Sequence, residues 1–511
     1  MGAAMSDIHE QLAELKRLGR CRRLRLVSGP QGATVLLEGK PVLLLCSNNY
    51  LGLADHPRVR EAAAEAAMRW GVGAGASRLV SGTMTIHRRL EERLAAFERR
   101  EACLLFGSGY LANIGVTGAL AGRGDTVFSD ELNHASIIDG CRLSRADVVV
   151  YRHLDVEHLE WSLRRHARRE AGRRLIVTDS VFSMDGDLAP LEMIVELARA
   201  YAARLVVDEA HAIGALGPDG RGVLAQAGLH GEVDVLVGTL GKAVGSYGAF
   251  VCADREMVRY LINASRSLIF STAPAPPAVA GALAALELLQ ERPHRIERLR
   301  SNARALRAAL AREGFAVTEE GMHIVPLIVG EEDYAMDLCQ AAIERGVFAQ
   351  AIRPPTVPEG TSRLRLAPMA SHTAADMRMA AAVLGDAARK LGLDPAAIGS
   401  PSRATTDAGE ADEEQELDAP ARVASPSPSP FDFERGDSPA RVVSPSPRPF
   451  DFERGDSPAR ASPPPSPFDF ERGDSPARTA VSASASPRAP VGAPRPNAPF
   501  DGEREGSIRA A

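Results

Sequence analysis

The chain has 511 residues, of which 45% are hydrophobic and 25% charged, the composition of a soluble globular protein with a large buried core. A net charge of −6, a pI near 6.1 and 5% aromatic residues give no electrostatic case for nucleic acid or an anionic membrane as a partner. The six cysteines show no C-x-x-C spacing, which argues against a zinc site or a disulfide framework and predicts reduced thiols in a cytoplasmic protein.

Residues 1–45 are predicted to form an N-terminal helix and hairpin. Residues 6–25 have the pattern of an amphipathic helix that ends in a basic cluster. The stretch TVLLEGKPVLLLCS (34–47) predicts a β-hairpin with Glu38 and Gly39 at its turn.

Residues 46–290 are predicted to form a large α/β domain. Its strand candidates are rich in β-branched residues, almost continuously apolar, and separated by helical stretches such as 191–203. This pattern is typical of a mostly parallel sheet covered on both faces. The strand candidates are ACLLF (102–106), RLIVTDS (174–180), RLVVDEAH (204–211), DVLVGTL (234–240) and GAFVCA (248–253).

A small α+β domain is predicted over residues 291–398, with strands near 323–330 and 362–368. The composition changes near residue 400 to Pro, Ser, Ala and charged residues, and the unit PFDFERGDSPAR occurs three times, starting at Pro430, Pro449 and Pro467. Such a composition cannot bury enough apolar surface to offset chain entropy. Residues 399–511 are therefore predicted to be a disordered tail.

Chemistry-bearing side chains follow several of the predicted strands. In a doubly wound sheet, such groups collect beyond the carboxyl ends of the strands, so we expect one shared crevice. Its predicted members are Gly107 to Tyr110, Ser183, Asp208, His211, Thr239 and Lys242.

Each member also has a simpler interpretation. Gly107-Ser108-Gly109 before a helix can present backbone N–H groups to a phosphate or can be an ordinary tight turn. Asp208 at the end of a buried strand needs a partner such as a cationic ring nitrogen, or it is a helix N-cap. Lys242 in a glycine setting could be a desolvated nucleophile, although most lysines are merely solvated.

Three motifs do not carry the function that they suggest. DEAH (208–211) occurs without the Gly-rich loop that binds a nucleotide, and Gly71 to Ala76 follows a helix rather than a strand. His134 and His211 have no third metal ligand at a convincing spacing. No metal is therefore expected.

Five motifs in a fixed order resemble the α-oxoamine synthases, a family of fold-type I pyridoxal-phosphate (PLP) transferases. The resemblance covers about residues 8–395. The motifs are CSNNYLGL (46–53), NHAS (133–136), SVFSMDGD (180–187), VVDEAHAIG (206–214) and GTLGKAVGSYG (238–248).

The resemblance implies roles for individual residues around PLP. Lys242 would hold the cofactor as a Schiff base, Asp208 would pair with the pyridine nitrogen, and His134 would stack on the ring. Lys242, His134 and Asp208 are thus the predicted catalytic residues. His211 would reach the ring oxygen, and Ser183 and Thr239 would complete the cofactor site. The phosphate side would be formed by Gly109 and Tyr110 and, from the neighbouring subunit of a homodimer, by Ser271 and Thr272.

The resemblance also implies a substrate site and a reaction. Asn48, His134 and Arg365 would contact the amino acid, whereas Arg22 and Thr356 would line the acyl side. Phe270 departs from relatives that carry Tyr there. The segment AIRPPTVPEGTSRLRL (351–366) is most like members that condense L-alanine with a pimeloyl thioester, carried by coenzyme A or acyl carrier protein.

Three rival functions remain open from the sequence. The first is a sister synthase that uses glycine or serine with another acyl thioester. The second is a fold-type I aminotransferase, and the third is an interaction protein whose repeat tail is the working part.

Overall fold

The computed structural model describes residues 2–167, 172–318 and 321–399, and these belong to one compact unit. The predicted tail, 399–511, lies outside the described residues except for Gly399. No helix in the described ranges is long and apolar enough to cross a membrane. The six cysteines are free thiols.

The helices are α1 (Gly2–Arg17), α2 (Pro57–Trp70), α3 (Thr85–Phe97), α4 (Gly109–Leu120), α5 (Ala135–Ser144), α6 (Val156–Ala167), α7 (Leu191–Ala200), α8 (Gly222–Gln226), α9 (Arg255–Ala264), α10 (Arg266–Ile269), α11 (Pro276–Glu291), α12 (His294–Arg312), α13 (Glu332–Glu344) and α14 (Ala374–Lys390).

The strands are β1 (Val27–Ser28), β2 (Thr34–Leu37), β3 (Lys40–Leu44), β4 (Ala102–Phe106), β5 (Thr126–Asp130), β6 (Asp147–Tyr151), β7 (Arg174–Asp179), β8 (Arg204–Asp208), β9 (Val235–Thr239), β10 (Ala249–Ala253), β11 (Val325–Gly330), β12 (Val347–Phe348), β13 (Ala351–Ile352) and β14 (Ser362–Leu366).

The central sheet has seven strands in the order β4-β10-β9-β8-β7-β5-β6. Only β10 is antiparallel to its neighbours, β4 and β9; the other pairs are parallel. On one face of the sheet, Leu205 and Val207 pack in a core that includes α2 and α11. On the other face, Val206 packs in a core that includes α4 and α5. The predicted mostly parallel sheet, covered on both faces, is confirmed.

A second, smaller core surrounds the antiparallel sheet β11-β14-β13. Helices α12, α13 and α14 pack against this sheet. The predicted strands near 323–330 and 362–368 are confirmed as β11 and β14.

The N-terminal hairpin is confirmed as β2 and β3. Its turn residues Glu38 and Gly39 have φ of 49° and 84°, which matches the two left-handed positions of a type I′ turn. Strand β3 also pairs in parallel with β12, so residues 40–44 and 347–348 share a sheet.

The predicted helix over 6–25 is wrong in its extent. Helix α1 ends at Arg17, and Gly19 turns the chain with φ of 66°, a conformation that glycine adopts without steric cost. The basic cluster from Arg20 to Arg25 therefore follows the helix instead of forming its last turn.

Candidate active site

A cavity of about 270 Å³ lies at the carboxyl ends of the central strands. A groove of about 540 Å³ lies elsewhere, is more open, and contains none of the predicted site residues. The smaller cavity is lined by Cys46, Asn48, His134, Ser183, Met184, His211, Lys242, Gln350, Ile352 and Arg365.

Lys242 is placed by a tight turn directly after β9. The backbone nitrogen of Gly245 donates to the carbonyl of Lys242 at 2.9 Å, and Gly245 has φ of 68°. The Lys242 Nζ lies 2.7 Å from His211 Nε2. Burial lowers the pKa of Lys242 to about 8, against the opposing effect of Asp208 and Asp179. The amine is thus a far better nucleophile at neutral pH than an exposed lysine.

Asp208 ends β8 and is 4% exposed. Its carboxylate accepts hydrogen bonds from Asn113 Nδ2 at 2.6 Å and from the backbone nitrogen of Ala210 at 2.8 Å. Asp179 stands opposite it on β7, and burial together with the nearby Asp208 holds the pKa of Asp179 well above its usual range. Since a buried carboxylate needs a charge partner, Asp208 is suited to a cationic ring nitrogen.

The N-terminus of α4 leaves backbone N–H groups without an intrahelical partner. The first intrahelical hydrogen bond runs from Ala112 to the carbonyl of Ser108, so the backbone N–H groups of Gly109 and Tyr110 precede it. A Cβ added at Gly109 would meet no atom within 4 Å, which leaves open space at the positive end of the helix dipole. Together with Lys242 and Asp208, this geometry fits PLP.

Arg365 on β14 enters the cavity from the small domain, and its guanidinium is held on three sides. The Nε donates to the carbonyl of Ser183 at 2.5 Å, one terminal nitrogen to Asn48 Oδ1 at 3.0 Å, and the other to Tyr50 Oη at 3.1 Å. The remaining N–H groups of the two terminal nitrogens can bind a carboxylate bidentately.

Tyr50 connects this arginine with His211. Tyr50 is fully buried, and its hydroxyl lies 2.7 Å from His211 Nδ1. Burial and the neighbouring cations Lys242 and Arg365 hold the pKa of His211 well below its usual range. The ring is therefore neutral at physiological pH.

Tyr50 and Asn113 belong to the site but were not predicted from the sequence. Tyr50 belongs to the CSNNYLGL motif, and Asn113 lies one helical turn beyond Gly109, so both had a positional signal. Only the packing shows that these side chains contact His211 and Asp208.

His134 lines the cavity, whereas Thr239 does not. The side chain of His134 caps α5, and its backbone nitrogen donates to Asp179 Oδ2 at 2.7 Å. Thr239 Oγ1 accepts from the backbone nitrogen of Gly241 at 3.2 Å, which stabilises the turn that carries Lys242.

Eight predicted residues do not line the cavity: Gly109, Tyr110, Asp208, Thr239, Ser271, Thr272, Arg22 and Thr356. Arg22, Thr356 and Thr272 are exposed, and Ser271 is half-buried. Arg353 donates to the carbonyl of Cys21 at 2.6 Å, so the segments that contain Arg22 and Thr356 do lie together. Within the described ranges, no group of three or more metal-ligating side chains is found.

A mostly parallel sheet with a half-buried lysine, a buried aspartate and a free helix N-terminus at its carboxyl edge defines a PLP-dependent enzyme of fold type I. The model of the aminotransferase class I and II family matches residues 40–384. The chain belongs to this family and, within it, to the α-oxoamine synthases.

Two relatives are 52% identical to the chain, and both are named 8-amino-7-oxononanoate synthase. The one from Geobacter sulfurreducens aligns over 76% of this chain and 99% of its own length. The one from Anaeromyxobacter dehalogenans aligns over 73% and 93%.

Two solved structures share the fold. A serine palmitoyltransferase from S. paucimobilis with bound PLP and myriocin has a TM-score of 0.71 and 34% identity, covering 75% of this chain and 97% of its own. An 8-amino-7-oxononanoate synthase from Francisella tularensis has a TM-score of 0.58 and 25% identity, covering 69% and 99%.

Proposed function

We propose that the chain catalyses the PLP-dependent condensation of L-alanine with a pimeloyl thioester, which yields 8-amino-7-oxononanoate, carbon dioxide and the free thiol. The reaction type is supported by one observation above all: the Lys242 amine and the Arg365 guanidinium line the same cavity. The names of relatives about 50% identical over almost their whole length support the substrate pair.

When bound, PLP withdraws electrons from the α-carbon of the amino acid attached to it. Asp208 is suited to keep the pyridine nitrogen protonated, because its buried carboxylate favours a cationic partner. Lys242 Nζ, neutral above about pH 8, can take the α-proton of the substrate and later return a proton to the same carbon.

Arg365 orients the amino acid. A bidentate pair with the α-carboxylate would fix the orientation of the α-carbon, and thus which of its bonds breaks. Asn48, Tyr50 and the Ser183 carbonyl each accept a hydrogen bond from the guanidinium and hold its plane. In this proposal, His211 would donate a hydrogen bond to the ring oxygen of PLP.

The chain acts as a homodimer in this proposal. Met68, Val72, Val80 and Phe270 are each at least 70% exposed, and exposed apolar residues clustered on a surface indicate a protein contact. An isolated bridge joins Ser77 to Thr272, so two of these apolar stretches lie side by side. Ser271 and Thr272 would then reach the phosphate in the partner subunit's site.

The experiment that tests the proposal is steady-state turnover with L-alanine, glycine and L-serine, each paired with pimeloyl, succinyl, acetyl and palmitoyl thioesters. We expect the highest kcat/KM for L-alanine with pimeloyl. Discrimination of one methyl group is worth about 1–3 kcal/mol, so glycine should retain some activity. A preference for L-serine with palmitoyl would instead favour the reaction of the structurally similar serine palmitoyltransferases.

A further inference from the structure

A short loop, residues 182–187, lies between the cavity and the large sheet. It is closed on itself, since the backbone nitrogen of Phe182 donates to the carbonyl of Asp187 at 3.1 Å and that of Gly186 to the carbonyl of Phe182 at 2.8 Å. An isolated bridge between Val181 and Leu188 closes its base. These contacts tie the two ends of the loop together.

The tip of the loop contacts the small domain at three points. Ser183 accepts a hydrogen bond from Arg365 Nε at 2.5 Å, and Asp185 forms an ion pair with the buried Arg363. Gly186 has φ of 72°, and a Cβ there would lie 2.8 Å from the carbonyl oxygen of Ile324. The loop therefore supplies one of the three contacts that hold the Arg365 guanidinium, and Asn48 and Tyr50 supply the other two.

The base of the loop is held by His153, which follows β6. Its Nδ1 lies 2.8 Å from Asp130 Oδ1, and its Nε2 lies 2.9 Å from Asp187 Oδ2. Ionised carboxylates only accept hydrogen bonds, so both ring nitrogens donate and the ring is an imidazolium. Its edge also meets the Phe182 ring, with the centroids 4.4 Å apart.

The charges around His153 agree with this protonation state. Burial lowers the pKa of His153, but its hydrogen bonds to Asp130 and Asp187 outweigh burial and raise the pKa to about 10. Glu131 accepts from the backbone nitrogen of His153, and the adjacent Arg152 is paired with Asp155. Both oxygens of Asp130 also accept backbone N–H groups, whereas Asp187 Oδ1 is buried without a hydrogen-bond partner among the described residues.

We propose that His153 is a positioning residue for the substrate carboxylate: its imidazolium joins Asp130 to Asp187, sets the loop 182–187, and through the Ser183 carbonyl sets the plane of Arg365. The inference rests on the proposed binding of an amino-acid carboxylate by Arg365. His153 itself does not line the cavity, so it acts only through the loop.

The test compares ligands with and without a carboxylate on the PLP-loaded enzyme. L-Alanine and ethylamine are titrated separately, and the absorbance change of the bound cofactor gives each Kd. In His153→Gln, the positive charge is lost and a single amide nitrogen replaces the two ring nitrogens that contact Asp130 and Asp187. We expect the Kd of L-alanine to rise about tenfold, as for the loss of a charge-assisted contact, and that of ethylamine to stay unchanged.

His158→Gln is the matched control. His158 lies five residues further on and accepts from the backbone nitrogen of Arg152 at 2.9 Å, but it has no hydrogen bond to the loop, so both Kd values should equal those of the parent. Asp187→Ala, which removes the other end of the ion pair, should repeat the alanine-specific loss even where His153→Gln does not fold.

Two results would overturn the inference: an unchanged Kd for L-alanine in both variants, or an equal loss for L-alanine and ethylamine. Glycine and L-serine carry the same carboxylate and are titrated alongside. A wrong substrate assignment would change which amino acid has the lowest Kd in the parent, but it would not change the ratio of the Kd of each variant to the Kd of the parent. Failure of the proposed function is thereby distinguished from failure of this inference.

Discussion

The reactivity of Lys242 comes from a balance between burial and charge. Burial penalises the ammonium form and lowers its pKa, while Asp208 and Asp179 act in the opposite direction. The positive charge of Arg365 also lowers the pKa of Lys242. Because the burial effect is the largest, the pKa of Lys242 falls to about 8.

This balance predicts the pH dependence of cofactor capture. In the apoprotein, only the neutral amine attacks the aldehyde of PLP, so the capture rate should rise about tenfold per pH unit and level off above about pH 8. Stopped-flow absorbance measures this rate, and Lys242→Arg should show no capture. A rate that kept rising to pH 10 would mean that the lysine is not buried in solution.

At the level of elements, the turn between β9 and β10 presents Lys242 to the cavity. Gly245 closes this turn at φ of 68°, and a Cβ added there would lie 2.4 Å from the backbone nitrogen of Ala54. That nitrogen is fixed, since it donates to Asn49 Oδ1 at 3.2 Å. The turn and the segment 49–54 can therefore approach only if residue 245 is a glycine.

Gly245→Ala should lower the free energy of unfolding by about 1–3 kcal/mol, from backbone strain and the steric clash, and should speed the loss of PLP. Thermal unfolding and cofactor fluorescence measure the two effects. Gly231→Ala is the control, because a Cβ there meets no atom within 4 Å. Equal behaviour of the two variants would refute the tight approach.

The sequence predicted the elements whose signal is local. Strands β7 to β10 are continuous apolar runs between turn residues, and the carboxyl-edge rule brought Asp208 and Lys242 together. Two strands were not predicted from the sequence: β5, where Ser129 and Asp130 interrupt the apolar run, and β6, whose side chains are only partly buried. Both depend on pairing with residues distant in the chain, as does the contact between Tyr50 and His211.

At the scale of the whole molecule, the small domain includes the last described residue. Gly399 pairs with Ile328 and Ala316, and Ile398 is 3% exposed in the small core. The predicted repeat tail follows directly, and every motif of the site precedes it.

A chain that ends at Gly399 should therefore keep its turnover to within about tenfold, which corresponds to 1.4 kcal/mol of barrier. A chain that ends at Leu393 should be less stable, because it lacks Ile398 and the pairing of Gly399. Steady-state kinetics and thermal unfolding compare both with the full chain. Loss of activity on removal of the tail alone would assign the tail a part in catalysis.

The proposed condensation releases the carboxyl group of the amino acid that Arg365 holds. The most direct measurement uses L-alanine labelled with ¹³C in its carboxyl carbon, together with a pimeloyl thioester and the PLP-loaded enzyme. We expect labelled carbon dioxide, free thiol and unlabelled 8-amino-7-oxononanoate in equal amounts. Pyruvate that retains the label, with the thioester left intact, would contradict it and indicate an aminotransferase.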